Sequence, residues 1–147
     1  MVSQLTAVSY TPAIAELFVN YQLGVASLLT PSEAEAATLG VLSISKFAYG
    51  VYAHTIVAQK AGYSADQVKS MIEGACPEGI TARQEAIYRL AKKLATTRGP
   101  LDGGSFDEAV AVLGRSDLAA ATQEAAAFMI ASMMGNVGDV CLPAGVE

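Results

Sequence analysis

At four breaks in the pattern of the chain a hydroxyl side chain is followed three positions later by Glu or Gln: Thr30–Glu33, Ser64–Gln67, Thr81–Gln84 and Ser105–Glu108. In such a pair the hydroxyl oxygen accepts from the backbone N–H three residues on, and the longer side chain reaches back to the N–H of the hydroxyl residue. Only a helix start leaves those donors bare. The chain is therefore read as a series of helices. Thr11-Pro12 opens the first, with proline where a missing N–H costs nothing, and Ile14, Leu17, Phe18, Tyr21, Val25 and Leu28 recur at helical spacing as far as Leu29. Thr30 opens a second helix to about Ser45. A third spans about Phe47 to Ala61 and stops at Gly62, a natural left-handed terminator. Ser64 opens a short one ending near Glu73–Gly74, and Thr81 one from Ala82 to about Thr97. After the break Gly99-Pro100-Leu101-Asp102-Gly103-Gly104, Ser105 opens a helix ending at Gly114. Ser116 then caps a long apolar helix from Asp117 to about Met134, with residues 135–147 as an irregular tail. No stretch alternates with period two for long enough to predict a strand. The expected fold class is all-α, with about seven helices, two of them short, in one domain over residues 1–147.

Hydrophobic residues make up 52% of the chain and charged residues 16%, against a usual charged share of about 25%. Such a chain buries a core without disulfides or metal, and its apolar excess predicts a homo-oligomer. The net charge of −5 repels polyanions, and the few basic residues are scattered, so nucleic acid is not an expected partner. No apolar run reaches the roughly 18 residues of a membrane span. The opening MVSQLTAVSYTP lacks a basic start and a continuous apolar segment. No membrane partner and a cytoplasmic location are expected. Cys76 and Cys141 stand far apart, outside any Cys-x-x-Cys pair and without a histidine at ligand spacing. No metal site, disulfide framework or dithiol centre is predicted.

The chemistry-bearing stretch is residues 30–62. It holds the only histidine, His54. On the third helix Phe47, Gly50, His54 and Ala58 share one stripe. A mid-helix glycine costs roughly 1 kcal/mol relative to alanine, and Gly50, one turn before His54, is expected to leave a void beside the imidazole. The plainer reading makes His54 a hydrogen-bonded core residue and Gly50 a helix contact. Glu35 lies on the preceding helix, with Leu39, Leu42 and Lys46 on its face. If the two helices fold back at Lys46, Glu35 and His54 lie roughly 16 and 12 Å from the turn at about 1.5 Å per residue, so their side chains can meet. A carboxylate there fixes the imidazole tautomer and favours its charged form. The plainer reading of Glu35 is an exposed helix charge.

These residues resemble the carboxymuconolactone decarboxylase family, within the alkylhydroperoxidase D-like superfamily. Glu33-x-Glu35 follows Thr30-Pro31 at a helix start. Ala53-His54-Thr55 is followed by Ala58 and then Ala61-Gly62-Tyr63-Ser64. Ile80-Thr81-Ala82-Arg83-Gln84-Glu85 opens the next long helix. The resemblance covers roughly residues 12–143. It implies an alkylhydroperoxidase D-like helical bundle assembled as trimers or hexamers, with pockets near subunit contacts. The peroxidase branch carries Glu, then Cys-x-x-Cys twelve residues on, then His four after the second Cys. Glu35 and His54 match, but the cysteine positions fall on Phe47 and Gly50. Thiol peroxidase chemistry needs both thiols, so this chain is not expected to be a thiol peroxidase.

What remains is proton transfer without a cofactor. The resemblance implies a lyase that decarboxylates a small unsaturated lactone, aromatic or polyketide-like carboxylic acid, with His54 as general acid/base and Glu35 orienting it. Phe47, Gly50, Val51 and Met133 would shape an apolar substrate pocket, and Lys46 would attract a substrate carboxylate if it points inward. The same pair could run an isomerisation, cyclisation or dehydration. A non-catalytic helical binding protein is the other class of reading. No Gly-rich phosphate loop, metal cluster or flavin fingerprint suggests a cofactor.

Overall fold

The computed structural model describes residues 11–138 and 140–145. Among these residues six helices follow in order: α1 (Pro12–Ala26), α2 (Pro31–Ser45), α3 (Ala48–Lys60), α4 (Ala65–Glu73), α5 (Ala82–Thr96) and α6 (Gly103–Val137). No strand occurs among the described residues. The expected all-α class is what the chain adopts.

The boxes at Thr30, Ser64 and Thr81 all form, each with its reciprocal pair of bonds. The fourth does not cap. Asp102 accepts the Ser105 N–H at 2.9 Å, and the Ser105 hydroxyl also donates to Asp102, at 3.0 Å. A carboxylate is a stronger acceptor than a hydroxyl, so α6 starts at Gly103, ahead of the expected position. At Gly114 the backbone takes φ 75° and ψ 169°, a conformation open to glycine. The expected helix boundary there is a break within α6. The helix then continues past Met134 to Val137, so the irregular tail begins later than expected. At the other end α1 stops at Ala26 rather than Leu29, where the Ser27 hydroxyl donates to the Gly24 carbonyl at 2.6 Å.

α2 is the axis of the molecule. Every residue from Glu33 to Ser43 is buried. Such a helix must be lined with small or apolar groups on all sides, and Ala34, Ala36, Ala37, Gly40 and Ser43 supply the small ones. It packs most extensively on α5, then on α6. The α2–α5 crossing is close: a Cβ on Gly40 would lie 2.8 Å from the Tyr88 carbonyl oxygen and 2.9 Å from the Ala91 Cβ. Leu39, Leu42, Met71, Ile87 and Tyr88 fill the core around it.

The chain leaves α2 through Lys46, which takes the left-handed conformation (φ 53°). Phe47 follows, 2% exposed, and its ring lies between two glycines of different helices. A Cβ on Gly50 would meet Phe47 Cδ1 at 2.6 Å and Leu42 Cδ2 at 2.8 Å. One on Gly135 of α6 would meet the far side of the Phe47 ring at 2.1 Å. The expectation that Gly50 leaves a void beside the imidazole is thus corrected. Phe47 and Leu42 occupy that space, and the missing Cβ is what lets the α2–α3 corner close.

Candidate active site

Two helices, α2 and α6, place side chains around His54 of α3. From α2 comes Glu35, 6% exposed, whose two carboxylate oxygens lie 3.1 and 3.0 Å from His54 Nδ1. An ionised carboxylate only accepts, so Nδ1 carries the proton and donates to Glu35. That fixes the tautomer and leaves Nε2 as the nitrogen free to exchange a proton. Nε2 has no hydrogen-bond partner among the described residues, and the His54 side chain retains 20% exposure. The helix that carries His54 therefore folds back on α2 in the arrangement expected from the spacing about Lys46.

From α6 come Phe128 and Glu124, one helical turn apart and so on one face. The Phe128 ring stands edge-on to the imidazole, with centroids 4.7 Å apart and planes at 87°. This T-shaped contact braces the ring against rotation. Glu124 is 3% exposed. Burial, and the nearby negative charge of Glu35, push its carboxyl up to about 7, and only His54 and Thr38 oppose the shift. Thr38, one turn beyond Glu35 on α2, is fully buried. Its hydroxyl oxygen and Glu124 Oε2 are both buried with no partner at hydrogen-bond geometry among the described residues. Thr38 thus biases the Glu124 charge from nearby without closing a good bond to it.

The surroundings fix these elements firmly. Glu33 accepts from Arg83 Nε at 2.6 Å and from the Thr30 hydroxyl at 2.8 Å. Burial alone would raise its carboxyl, but these donors outweigh it and hold the group below its ordinary range. Arg83 also donates to Asp117 at 2.7 Å, joining α2, α5 and α6. The Tyr63 hydroxyl donates to the Ser32 carbonyl at 2.7 Å. Burial, with the charges of Glu35 and Glu33, pushes that phenol well above its usual value.

The other residues expected at the site are dispersed. Lys46 donates to the Ile72 carbonyl at the end of α4, at 3.1 Å. Phe47 and Gly50 are part of the α3–α6 packing described above. Val51 is half-buried against the core. Met133 is 69% exposed and lines a cavity of about 310 Å³ with Val41, Ile44, Met129 and Asn136. A second cavity, of about 340 Å³, lies between α5 and the first half of α6, with Glu85, Arg89, Lys93 and Glu108 among its lining residues. Neither cavity has Glu35, His54 or Glu124 on its wall.

Glu124, Thr38 and Phe128 are the residues that sequence reasoning missed. One signal was present. Glu124 is the last charge before the apolar run Ala125–Met134, and a carboxylate bordering such a segment is a candidate for burial, though nothing local says which way it faces. Thr38 and Phe128 carry no comparable mark.

Cys76 is partly buried. Burial and Glu85 push its thiol up, against the smaller opposing pull of Arg89 and Lys92, which disfavours the thiolate that peroxide chemistry needs. Among the described residues no group of three His, Cys, Asp or Glu is placed to hold a metal ion, and no helix is long and apolar enough to cross a membrane. No protein-family model matches the chain, and neither does any curated protein or solved structure.

Proposed function

We propose that this chain is a cofactor-independent proton-transfer enzyme, of the lyase type that the carboxymuconolactone decarboxylase resemblance suggests, with His54 as general acid/base. The observation that carries the reading is the Glu35–His54 contact at 3.0–3.1 Å. Both residues were singled out by sequence, and the contact engages one imidazole nitrogen while leaving the other unbonded. Glu35 orients the ring and balances its positive charge. The pair sits beside Phe128 with Glu35 buried, and burial strengthens such electrostatics.

On a small unsaturated lactone carboxylic acid the step balances as follows. The bond from carbon to the carboxylate breaks and carbon dioxide leaves. The electron pair spreads into the conjugated carbonyl as a dienolate. The Nε2–H of the imidazolium then gives its proton to carbon, the new C–H bond takes up the electron pair, and neutral His54 regains a proton from solvent. Isomerisation, cyclisation or dehydration of an activated carbonyl compound would use the same nitrogen, and the resemblance alone ranks decarboxylation first. Assembly into trimers or hexamers, a cytoplasmic location and the absence of a cofactor belong to the same proposal. Exposed Ile14, Leu17 and Leu23 on α1 and Met133 and Val137 on α6 are consistent with subunit contacts.

The test is turnover of a carboxymuconolactone by the intact protein, followed by carbon dioxide release and by deuterium incorporation from heavy water. General acid/base catalysis contributes about 10²–10⁴-fold, so H54Q should lower kcat by at least about 100-fold, and E35Q by less. Wild-type protein that neither releases carbon dioxide nor incorporates deuterium, or H54Q that matches the wild type, would defeat the reading in favour of a non-catalytic binding protein.

A further inference from the structure

We propose that Glu124 is a third proton-carrying member of the Glu35–His54 centre, a positioning residue that acts on the imidazole through its charge. The inference deepens the proton-transfer reading of the same site and rests on it for its catalytic meaning. The geometry comes from two helix faces. Glu35 and Thr38 stand one turn apart on α2, and Glu124 and Phe128 one turn apart on α6. Phe128 touches the imidazole edge-on and Glu35 holds its Nδ1. The side chain one turn from Phe128 is therefore directed at the same region from the opposite wall.

Beyond the centre itself, the polar neighbour of Glu124 is the Thr38 hydroxyl, which closes no well-formed bond to it. Glu124 enters no ion pair among the described residues. Its Oε2 is buried and unpartnered, as is the neighbouring Thr38 hydroxyl. Leaving such an atom unsatisfied is costly, and a leucine or methionine would fill the space without that cost. By contrast the buried Glu33 of α2 is engaged by Arg83 and Thr30. The charged groups that bear on Glu124 are Glu35 from α2 and His54 from α3. One disfavours its ionisation and the other favours it.

The consequence is a charge that switches within the working range. Below about pH 7 Glu124 is neutral and the centre holds Glu35 as its only anion. Above it, a second carboxylate adds its negative charge beside the imidazole.

The experiment is a carbon-13 titration of the side-chain carboxyl carbons in the full chain labelled at glutamate, in wild type, E35Q and H54Q, with E124Q assigning the resonance. The Glu124 midpoint is expected near 7 in the wild type. E35Q removes a like charge and should lower it by about half a unit or more, whereas H54Q removes a cation and should raise it. Should E35Q fail to fold, the H54Q shift decides alone. A Glu124 midpoint in the ordinary carboxylate range, or shifts that are not in these directions, overturns the proposal. The titration needs no substrate, so its result stands apart from the turnover test. In the active enzyme, the rate–pH profile of E124Q should lose the wild-type inflection near pH 7. An unchanged profile would make Glu124 merely structural.

Discussion

At the scale of single residues, Glu124 makes the sharpest claim. Its carboxyl is raised from an ordinary 4.5 to about 7 by burial and by Glu35. The unfolded chain releases this proton near pH 4.5, while the folded chain keeps it up to about 7. Between those values the native state binds more protons, so this group's contribution to stability falls as pH rises. At 1.36 kcal/mol per unit the whole effect is about 3 kcal/mol, complete above pH 7 and absent below about 4.5. E124Q removes the titration. Chemical denaturation should therefore find E124Q gaining on the wild type between pH 4.5 and 7, by up to about 3 kcal/mol, and a gap that stays constant over that interval would contradict the account. The pairing of Glu35 with His54 was legible in the sequence because histidine occurs once and the helix spacing about Lys46 puts the two near enough in height for their side chains to meet. Glu124 was not, because nothing local says that α6 turns that face toward α2. Its burial is decided by a contact between segments about 90 positions apart.

At the scale of elements, caps were legible and close approaches were not. Three of four capping boxes formed where the pattern put them, since a cap is a bargain among four consecutive residues. The fourth lost to Asp102, a better acceptor three residues upstream of the Ser105 N–H. Glycines were harder. Gly50 reads in sequence as room for a ligand, and the fold uses it, with Gly135, as a socket for Phe47. G135A would drive a methyl carbon to within 2.1 Å of the Phe47 ring, so it should destabilise the protein by about 1–3 kcal/mol, the usual cost of overpacking. The double variant F47L/G135A should recover part of that loss, because leucine lacks the ring. Thermal or chemical unfolding of the pair checks this, and additive losses would show that the socket is not what binds α3 to α6. G40A should be no better tolerated, since its nearest neighbour is the Tyr88 backbone carbonyl, which cannot move aside as a side chain can.

At the scale of the whole molecule, α2 is enclosed by α5 and α6, and Arg83 ties the three together through Glu33 and Asp117. Burial opposes ionisation of Glu33, but the bonds from Arg83 and Thr30 win and lower its carboxyl. A lowered acid stabilises the fold above its unfolded value near 4.5 and loses that contribution as pH falls through its folded value. Acid unfolding of R83M should accordingly begin at higher pH than in the wild type, with a loss near neutrality of about 1–2 kcal/mol because Arg83 is partly exposed. An unchanged acid transition would mean that the ion pairs add nothing to the assembly of the three helices. Fold class was readable because helix signals are local and no stretch competes as a strand. The order in which helices surround α2 was not, since that depends on which small residues permit close crossing.

On the proton-transfer reading Glu35 holds His54 by Nδ1 and leaves Nε2 for chemistry. Because the chain has one histidine, a long-range proton–nitrogen correlation spectrum of uniformly labelled protein reads the imidazole without ambiguity. With the ring neutral, the account predicts the proton on Nδ1 and an unprotonated Nε2, and E35Q should return the ring to the ordinary mixture that favours Nε2–H. A wild-type His54 protonated at Nε2, or a tautomer that E35Q leaves unchanged, would contradict it.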